Sequence, residues 1–244
     1  MRMNSPEGKQ ILALVRKGDF AHPGEEQAID LCFSSLQRDP SREVIDIGCG
    51  RGGTAEYVRH RGWGNVTGVD IDAESISYAI KRYPKVRFVV GDVTNIGSLW
   101  RSHFDLAYLL NTFYAFTEQK RSLNEISLVA RTNSRLMIFD YLDVSGSFRK
   151  EAGNRLPLWS PIRIEILKSD LKDSGWKFVT HENITDRYVY WYRELCSRIE
   201  KHEAQIISDH GRTWYDYIHS FYDYLLSLIE QEVLGGAIIW AQRV

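Results

Sequence analysis

The sequence predicts an α/β fold built on a parallel, doubly wound sheet, and three observations carry that expectation. Short β-branched runs alternate with stretches of helical apolar spacing between residues 43 and 140, a glycine-rich turn (DIGCGRGG, 46–53) directly follows the first run, and acids stand at the ends of later ones. Such alternation signals parallel strands joined by right-handed crossovers.

Taken in order, Ser5, Pro6 and Glu7 supply an N-cap, a first-turn proline and a dipole-friendly acid for a leading helix carrying Ile11, Leu14 and Val15, which Gly18 ends. A second helix starts near 23–25 and carries Ile29, Cys32, Phe33 and Leu36. The strands expected next are 43–47, 65–70, 86–90, 104–110 and 135–139, with helices over 54–61, from Asp72 onward, and over 117–130. Beyond 141 a loop with Gly146, Gly153 and Pro157 leads to a helix over 164–174 and a sixth strand beginning at 175–179. An aromatic two-helix stretch follows; Gly235 and Gly236 are expected to stop it before a last strand at 237–242.

Length and charge set bounds. With 244 residues the chain suits one large domain with an insertion, and 31 Lys and Arg against 32 Asp and Glu leave a net charge of -1. No basic block marks a nucleic-acid or anionic-membrane partner, and no apolar stretch approaches the ~20 residues that span a bilayer. The first ten residues lack a signal-peptide core, so a cytoplasmic location is expected. Three scattered cysteines, Cys32, Cys49 and Cys196, read as reduced thiols, and no metal site is expected.

The glycine turn satisfies two patterns. Gly48, Gly50 and Gly53 give the dinucleotide fingerprint GxGxxG, with Asp70 where a ribose-binding acid belongs. Asp46, Gly48, Gly50 and Gly52 also give DxGxGxG, and there the chain resembles the class I S-adenosylmethionine-dependent methyltransferases of the small-molecule type, in the manner of the type 11 and 25 methyltransferase domains. The resemblance covers 43–140 in motif order. It implies a Rossmann-like sheet of seven strands, antiparallel only at the last, in a single domain over 1–244. N-terminal helices over 1–42 would cover the cofactor, and a helical substrate lid would occupy 186–236.

By that resemblance S-adenosylmethionine is the cofactor and S-adenosylhomocysteine its product. Asp46, Gly48, Gly50 and Gly52 belong to the cofactor turn, Asp70 and Ile71 to the ribose position, and Asp92 and Val93 to the adenine position; Asn111 is placed at the methionine end. Two acids after consecutive strands separate this reading from an NAD-dependent oxidoreductase. A cofactor without a phosphate needs side-chain acceptors in place of a helix N-terminus that captures pyrophosphate.

Methyl transfer mainly requires a nucleophile held in line behind the sulfonium methyl, which supplies ~7 to 11 kcal/mol of the barrier. Presenting an alkyl amine of pKa ~10.4 in neutral form at pH 7 costs about 4.6 kcal/mol, so a base or a desolvating pocket is useful. His22 is the candidate proton acceptor, within a segment (FAHPGEE) that resembles the one folding over the cofactor in small-molecule members. Asn111 and Tyr114, in LNTFY, keep the outer residues of an N-P-P-Y type motif without its prolines and are candidates to accept from a substrate N–H and to stack on it. Glu25, Asp140, Tyr188 and Trp191 are candidate substrate contacts, and the aromatic crowd from 188 to 224 suits either a cationic acceptor, a core, or a homodimer face. The expected activity is methylation of a small molecule, with nitrogen slightly ahead of oxygen as the acceptor atom. An oxidoreductase and a non-catalytic S-adenosylmethionine-binding protein are the alternatives.

Overall fold

Residues 3–244 are described by the computed structural model. Ser5 caps the first helix, α1 (Pro6–Arg16), by accepting from the Gly8 amide, and Lys17 ends it in a left-handed conformation. α2 (Glu25–Phe33) follows, then β1 (Glu43–Ile47), α3 (Gly53–His60), β2 (Asn65–Asp70), α4 (Ala73–Arg82) and β3 (Arg87–Val90). A 3₁₀ segment, Val93–Ser98, leads to β4 (Phe104–Leu110), and a shorter one, Phe113–Ala115, to α5 (Gln119–Val129) and β5 (Ala130–Asp143). The rest of the chain is α6 (Phe148–Ala152), α7 (Ile164–Asp173), β6 (Trp176–Asn183), α8 (Thr185–Lys201), α9 (Glu203–His210), α10 (Arg212–Glu230) and β7 (Leu234–Arg243).

The seven strands form one sheet in the order β3-β2-β1-β4-β5-β7-β6. β1 to β5 run parallel, and β7 inserts antiparallel between β5 and β6. Strand alternation sorts the core into two layers. Val44, Leu106, Tyr108, Met137, Phe139 and Trp240 face the side covered by α1, α2, α3, α8 and α10. Ile45, Ile47, Ala107, Leu109, Ile138 and Ile239 face the other, against α5 and α7.

The structure differs from the sequence reading in four places. β5 starts at Ala130, five residues early, because the polar run Arg131 to Ser134 continues the strand at its exposed end. α6 forms inside the expected loop. The aromatic stretch holds three helices, since the chain breaks at His202 and again at Gly211, whose φ is +91°. Finally, Gly235 and Gly236 do not terminate the insertion: they belong to β7, so the helices end at Glu230. Their absent side chains serve packing. A Cβ on Gly236 would sit 2.2 Å from the ring of Tyr188, and one on Gly235 2.2 Å from Thr185 Oγ1.

That close approach sets α8 against the sheet and generates a prediction. Gly236→Val should overpack the Tyr188 contact and lower stability by about 1–3 kcal/mol or more in a urea titration. An unchanged midpoint would show that α8 can back away from β7 freely.

Candidate functional site

The carboxyl ends of β1, β2, β3 and β4 open into one cleft of about 260 Å³, lined by Gly48, Asp70, Ile71, Asp92, Val93 and, on the facing wall, Thr112, Thr117, Glu118 and Ser122. Open α/β sheets bind ligands at this edge, where the strand order reverses. Here β1 has β2 on one side and β4 on the other, so the reversal falls at the glycine turn. Gly48, with φ +76°, lets Thr112 approach so closely that a Cβ would lie 2.2 Å from its Oγ1. Gly50, with φ +53°, has open space where a Cβ would point.

Asp70 and Asp92 serve their own turns and still face the cleft. Asp70 accepts from the Gly50 amide at 2.8 Å and the Asp72 amide at 2.9 Å, one bond to each oxygen. Asp92 caps the 3₁₀ segment through one oxygen, taking the amide and hydroxyl of Thr94, both at 2.8 Å. A carboxylate offers about four acceptor positions, so each retains capacity for an incoming donor. Beside them Ile71 is 70% exposed, an apolar side chain held against water at the cleft wall. Asp46 and Gly52 lie beneath this surface. Gly52 makes room for Phe88, and Asp46 is buried under the turn with Oδ2 unpartnered among the described residues.

A second cluster adjoins Thr112. Asp140 is fully buried, and its two oxygens take four backbone amides: Thr112 at 3.0 Å, Phe113 at 2.7 Å and Tyr114 at 3.3 Å on one, and Tyr141 at 2.7 Å on the other. The residue expected to touch substrate therefore spends its carboxylate on the turn after β4. Asn111, with φ +50°, begins that turn; its Oδ1 accepts from the Tyr188 hydroxyl at 2.8 Å, while its Nδ2 is buried and unpartnered among the described residues. Tyr114 lays its ring against Trp159 and Tyr141, with centroids 4.3 and 4.9 Å away, and the Tyr141 hydroxyl is hydrogen-bonded to that of Tyr192. Burial pushes the hydroxyls of Tyr114, Tyr141 and Tyr188 far above the ordinary tyrosine range.

His22, Glu25 and Trp191 gather elsewhere, on the seam between α8 and the N-terminal helices. His22 is buried, with Nε2 3.0 Å from Thr54 Oγ1 and Nδ1 facing the Pro23 carbonyl, and burial drops it to about 3. That corrects the expected proton acceptor, since a ring so reluctant to charge is a poor base near neutral pH. Glu25 also departs from its expected role as a substrate contact, because it bridges Arg16 at 2.7 Å and Arg198 at 3.1 Å. Trp191 rests on Gly24 and donates Nε1 to Gln27, again binding the seam.

Sequence reasoning named one wall of the cleft and missed Thr112, although it lies within LNTFY, and Thr117, Glu118 and Ser122, which no motif marks. It also missed Arg16 and Trp159, each significant only through partners distant in sequence. Among the described residues no group of three or more His, Cys, Asp or Glu is placed to hold a metal ion, and no helix is long and apolar enough to cross a membrane.

This architecture has known counterparts. Residues 45–138 match the family described as the methyltransferase domain. A protein of Arabidopsis thaliana named phosphoethanolamine N-methyltransferase 1 is 27% identical over 208 residues, 81% of this chain and 41% of that protein. A protein of Pyrenophora dematioidea named O-methyltransferase is 25% identical over 222 residues, 87% of this chain and 79% of that protein. The solved structure of Haemonchus contortus phosphoethanolamine N-methyltransferase 2, in complex with phosphomonomethylethanolamine and S-adenosylhomocysteine, matches with a TM-score of 0.86 at 19% identity, over 99% of this chain and 58% of that one. The chain thus spans about two fifths of the plant relative and under three fifths of the nematode protein, and the latter likeness is one of fold.

Burial of Asp46 generates a pH prediction. Loss of hydration raises its carboxyl from 3.8 to about 7. Between those values the folded state keeps a proton that the unfolded state has lost, so stability falls as pH rises and the full penalty is present above 7. Asp46→Asn removes the ionisation. Its melting temperature relative to the natural protein should therefore improve by at least ~2 °C from pH 4.5 to pH 8. An offset that stays constant across that range would refute the assignment.

Proposed function

We propose that this protein transfers a methyl group from S-adenosylmethionine to a small-molecule acceptor. One observation carries the reading: two carboxylates at neighbouring strand tips, Asp70 and Asp92, face a single cleft behind a glycine turn and keep acceptor capacity after capping their own loops. Two vicinal ribose hydroxyls and an exocyclic amino group are the donors that such a pair fits, with Ile71 and Val93 as apolar surface for a purine. The turn suits a cofactor without phosphate, because acid side chains rather than free helix amides dominate the cleft.

When bound, S-adenosylmethionine supplies a methyl group already activated by the positive sulfur. The chain's own residues then have three tasks. Asp70, Asp92, Gly48 and Gly50 hold the nucleoside. Asn111 and Tyr114 stand on the turn nearest the acceptor, and Asp140 fixes that turn through its amides. The N-terminal helices and α8 to α10 exclude water: Lys9 is ion-paired with Asp72, Tyr83 donates to Asp19 at 2.8 Å, and Glu25 joins α1 and α8 through its two arginines. Exclusion of water strengthens every polar interaction inside and protects the activated methyl.

A small acceptor accords with the balanced charge and with the methyltransferases that resemble the chain. Burial of all three thiols, Cys32, Cys49 and Cys196, suits the reducing cytoplasm.

The cofactor reading is tested by titration calorimetry with S-adenosylhomocysteine and, separately, NADH. The first should bind and the second should not; the opposite result restores the oxidoreductase. Asp70→Ala should weaken S-adenosylhomocysteine at least ~10-fold, about 1.4 kcal/mol, because it removes the ribose acceptor and frees the Gly50 amide. An unaltered affinity would exclude Asp70 from the site.

A further inference from the structure

The cleft behind the glycine turn carries charge of one sign. Three carboxylates line it, Asp70 and Asp92 on the strand side and Glu118 on the facing wall, and among the described residues no lysine, arginine or histidine joins them. Cations on the adjoining segments are paired elsewhere. Lys9 of α1 is held by Asp72, Arg51 of the glycine turn reaches Asp19 at 3.5 Å, and Lys120 of α5 reaches Asp173 at 2.6 Å.

Asp70 and Asp92 are partly spent on their own loops, whereas Glu118 is not. It stands at the capping position of α5, yet its side chain accepts no helix amide. Its ion pair is with Arg121 at 3.3 Å, and both side chains are more than half exposed, an arrangement that contributes little to stability. Ser122 bonds the backbone carbonyl of Glu118 and leaves the carboxylate untouched. An acid at the start of a helix also suits the helix dipole, and that role is separable by experiment because it does not depend on the charge of a ligand.

We infer that Glu118 completes a set of carboxylates by which the cleft prefers the cationic cofactor to its neutral product. The inference rests on the methyltransferase reading above. S-adenosylmethionine carries one net positive charge, on sulfur. Methyl transfer returns the carbon–sulfur pair to sulfur and passes the methyl group, with that charge, to the acceptor, so S-adenosylhomocysteine is neutral overall. The nucleoside and the amino acid are common to both molecules, and hydrogen bonds to those parts do not tell them apart. The field at sulfur does. Sulfur is one methylene from the ribose ring, so a ribose held by Asp70 keeps the charge close to these carboxylates. A cavity of about 260 Å³ is roughly 8 Å across, and at that range each carboxylate raises the affinity of a cation ~2-fold even at the dielectric constant of water. Three together give ~10-fold at low salt. Spent product therefore yields the cleft to fresh cofactor.

Titration calorimetry at pH 7 tests this with three ligands: S-adenosylmethionine, S-adenosylhomocysteine, and the analogue in which an ammonium-bearing carbon replaces the methylsulfonium, a cation that cannot transfer a methyl group. Both cations should bind ~10-fold tighter than S-adenosylhomocysteine at about 0.01 M salt and ~3-fold tighter at about 0.15 M, because the screening length shortens from about 30 Å to about 8 Å. Glu118→Lys should cut the low-salt preference to ~2-fold, and Arg121→Ala, which removes the cation paired with Glu118, should raise it to ~20-fold; S-adenosylhomocysteine affinity should stay within ~2-fold in both. Equal affinities for the cations and the product in the natural protein, a preference that ignores salt, or one that Glu118→Lys leaves unaltered overturns the inference. Affinities for all three ligands that fall together in Glu118→Lys mark a structural role and overturn it as well, with the transferase reading intact. Failure of all three to bind the natural protein overturns that reading and this inference with it.

Discussion

The constraint on which the structure turns is the unsatisfied backbone at the carboxyl edge of the parallel sheet. Each strand there runs into a tight turn whose amides point back toward the sheet, and each amide needs an acceptor. Asp70 holds the glycine turn by the Gly50 amide, Asp92 holds the start of the 3₁₀ segment, and Asp140 gathers the three amides after Asn111. The same carboxylates that order the loops therefore fix the chemistry of the cleft. Asp70 and Asp92 keep lone pairs for a ligand because they are only partly used. Asp140 keeps none, and its influence passes through the backbone to Asn111.

This difference explains what could be read from the sequence. An acid at the end of a β-branched run is visible as a string of letters, and β2 and β4 were placed with their observed limits. Whether that acid faces a cleft or is consumed by its own loop depends on how many amides converge on it, which only the folded turn reveals. Asp140 and Asp70 look alike in sequence and behave differently in space. The glycine pair before the last strand shows the same limitation: two glycines read as a stop, yet at 235 and 236 they let Thr185 and Tyr188 press against the sheet.

The seam between the two helical covers was illegible for a different reason. Glu25 and Arg198 are 173 residues apart, and Gln27 and Trp191 are 164 apart, so no local spacing foretells either pair. Local pattern did identify the crowd of aromatics, but not its internal division. Tyr188, Tyr192 and Tyr222 are buried against the sheet side, whereas Tyr190, one residue from Trp191, is 56% exposed. Buried tyrosines carry hydroxyls that need partners, and the Tyr141–Tyr192 and Tyr188–Asn111 bonds are where those needs are met.

That requirement links α8 to the turn after β4. If Tyr188 were a phenylalanine by nature, both ends of the Asn111 side-chain amide would lack a partner among the described residues. The hydroxyl satisfies the Oδ1 end at little cost, because its own burial is offset by the bond it makes. Charge closes the seam as well: Arg16 and Arg198 share the carboxylate of Glu25. Lys17, Glu26 and Glu194 line the same pocket, so three positive side chains there face three negative ones. Paired polar groups, at Asn111 and at Glu25 alike, tie α8 to the turn after β4 and to the N-terminal helices.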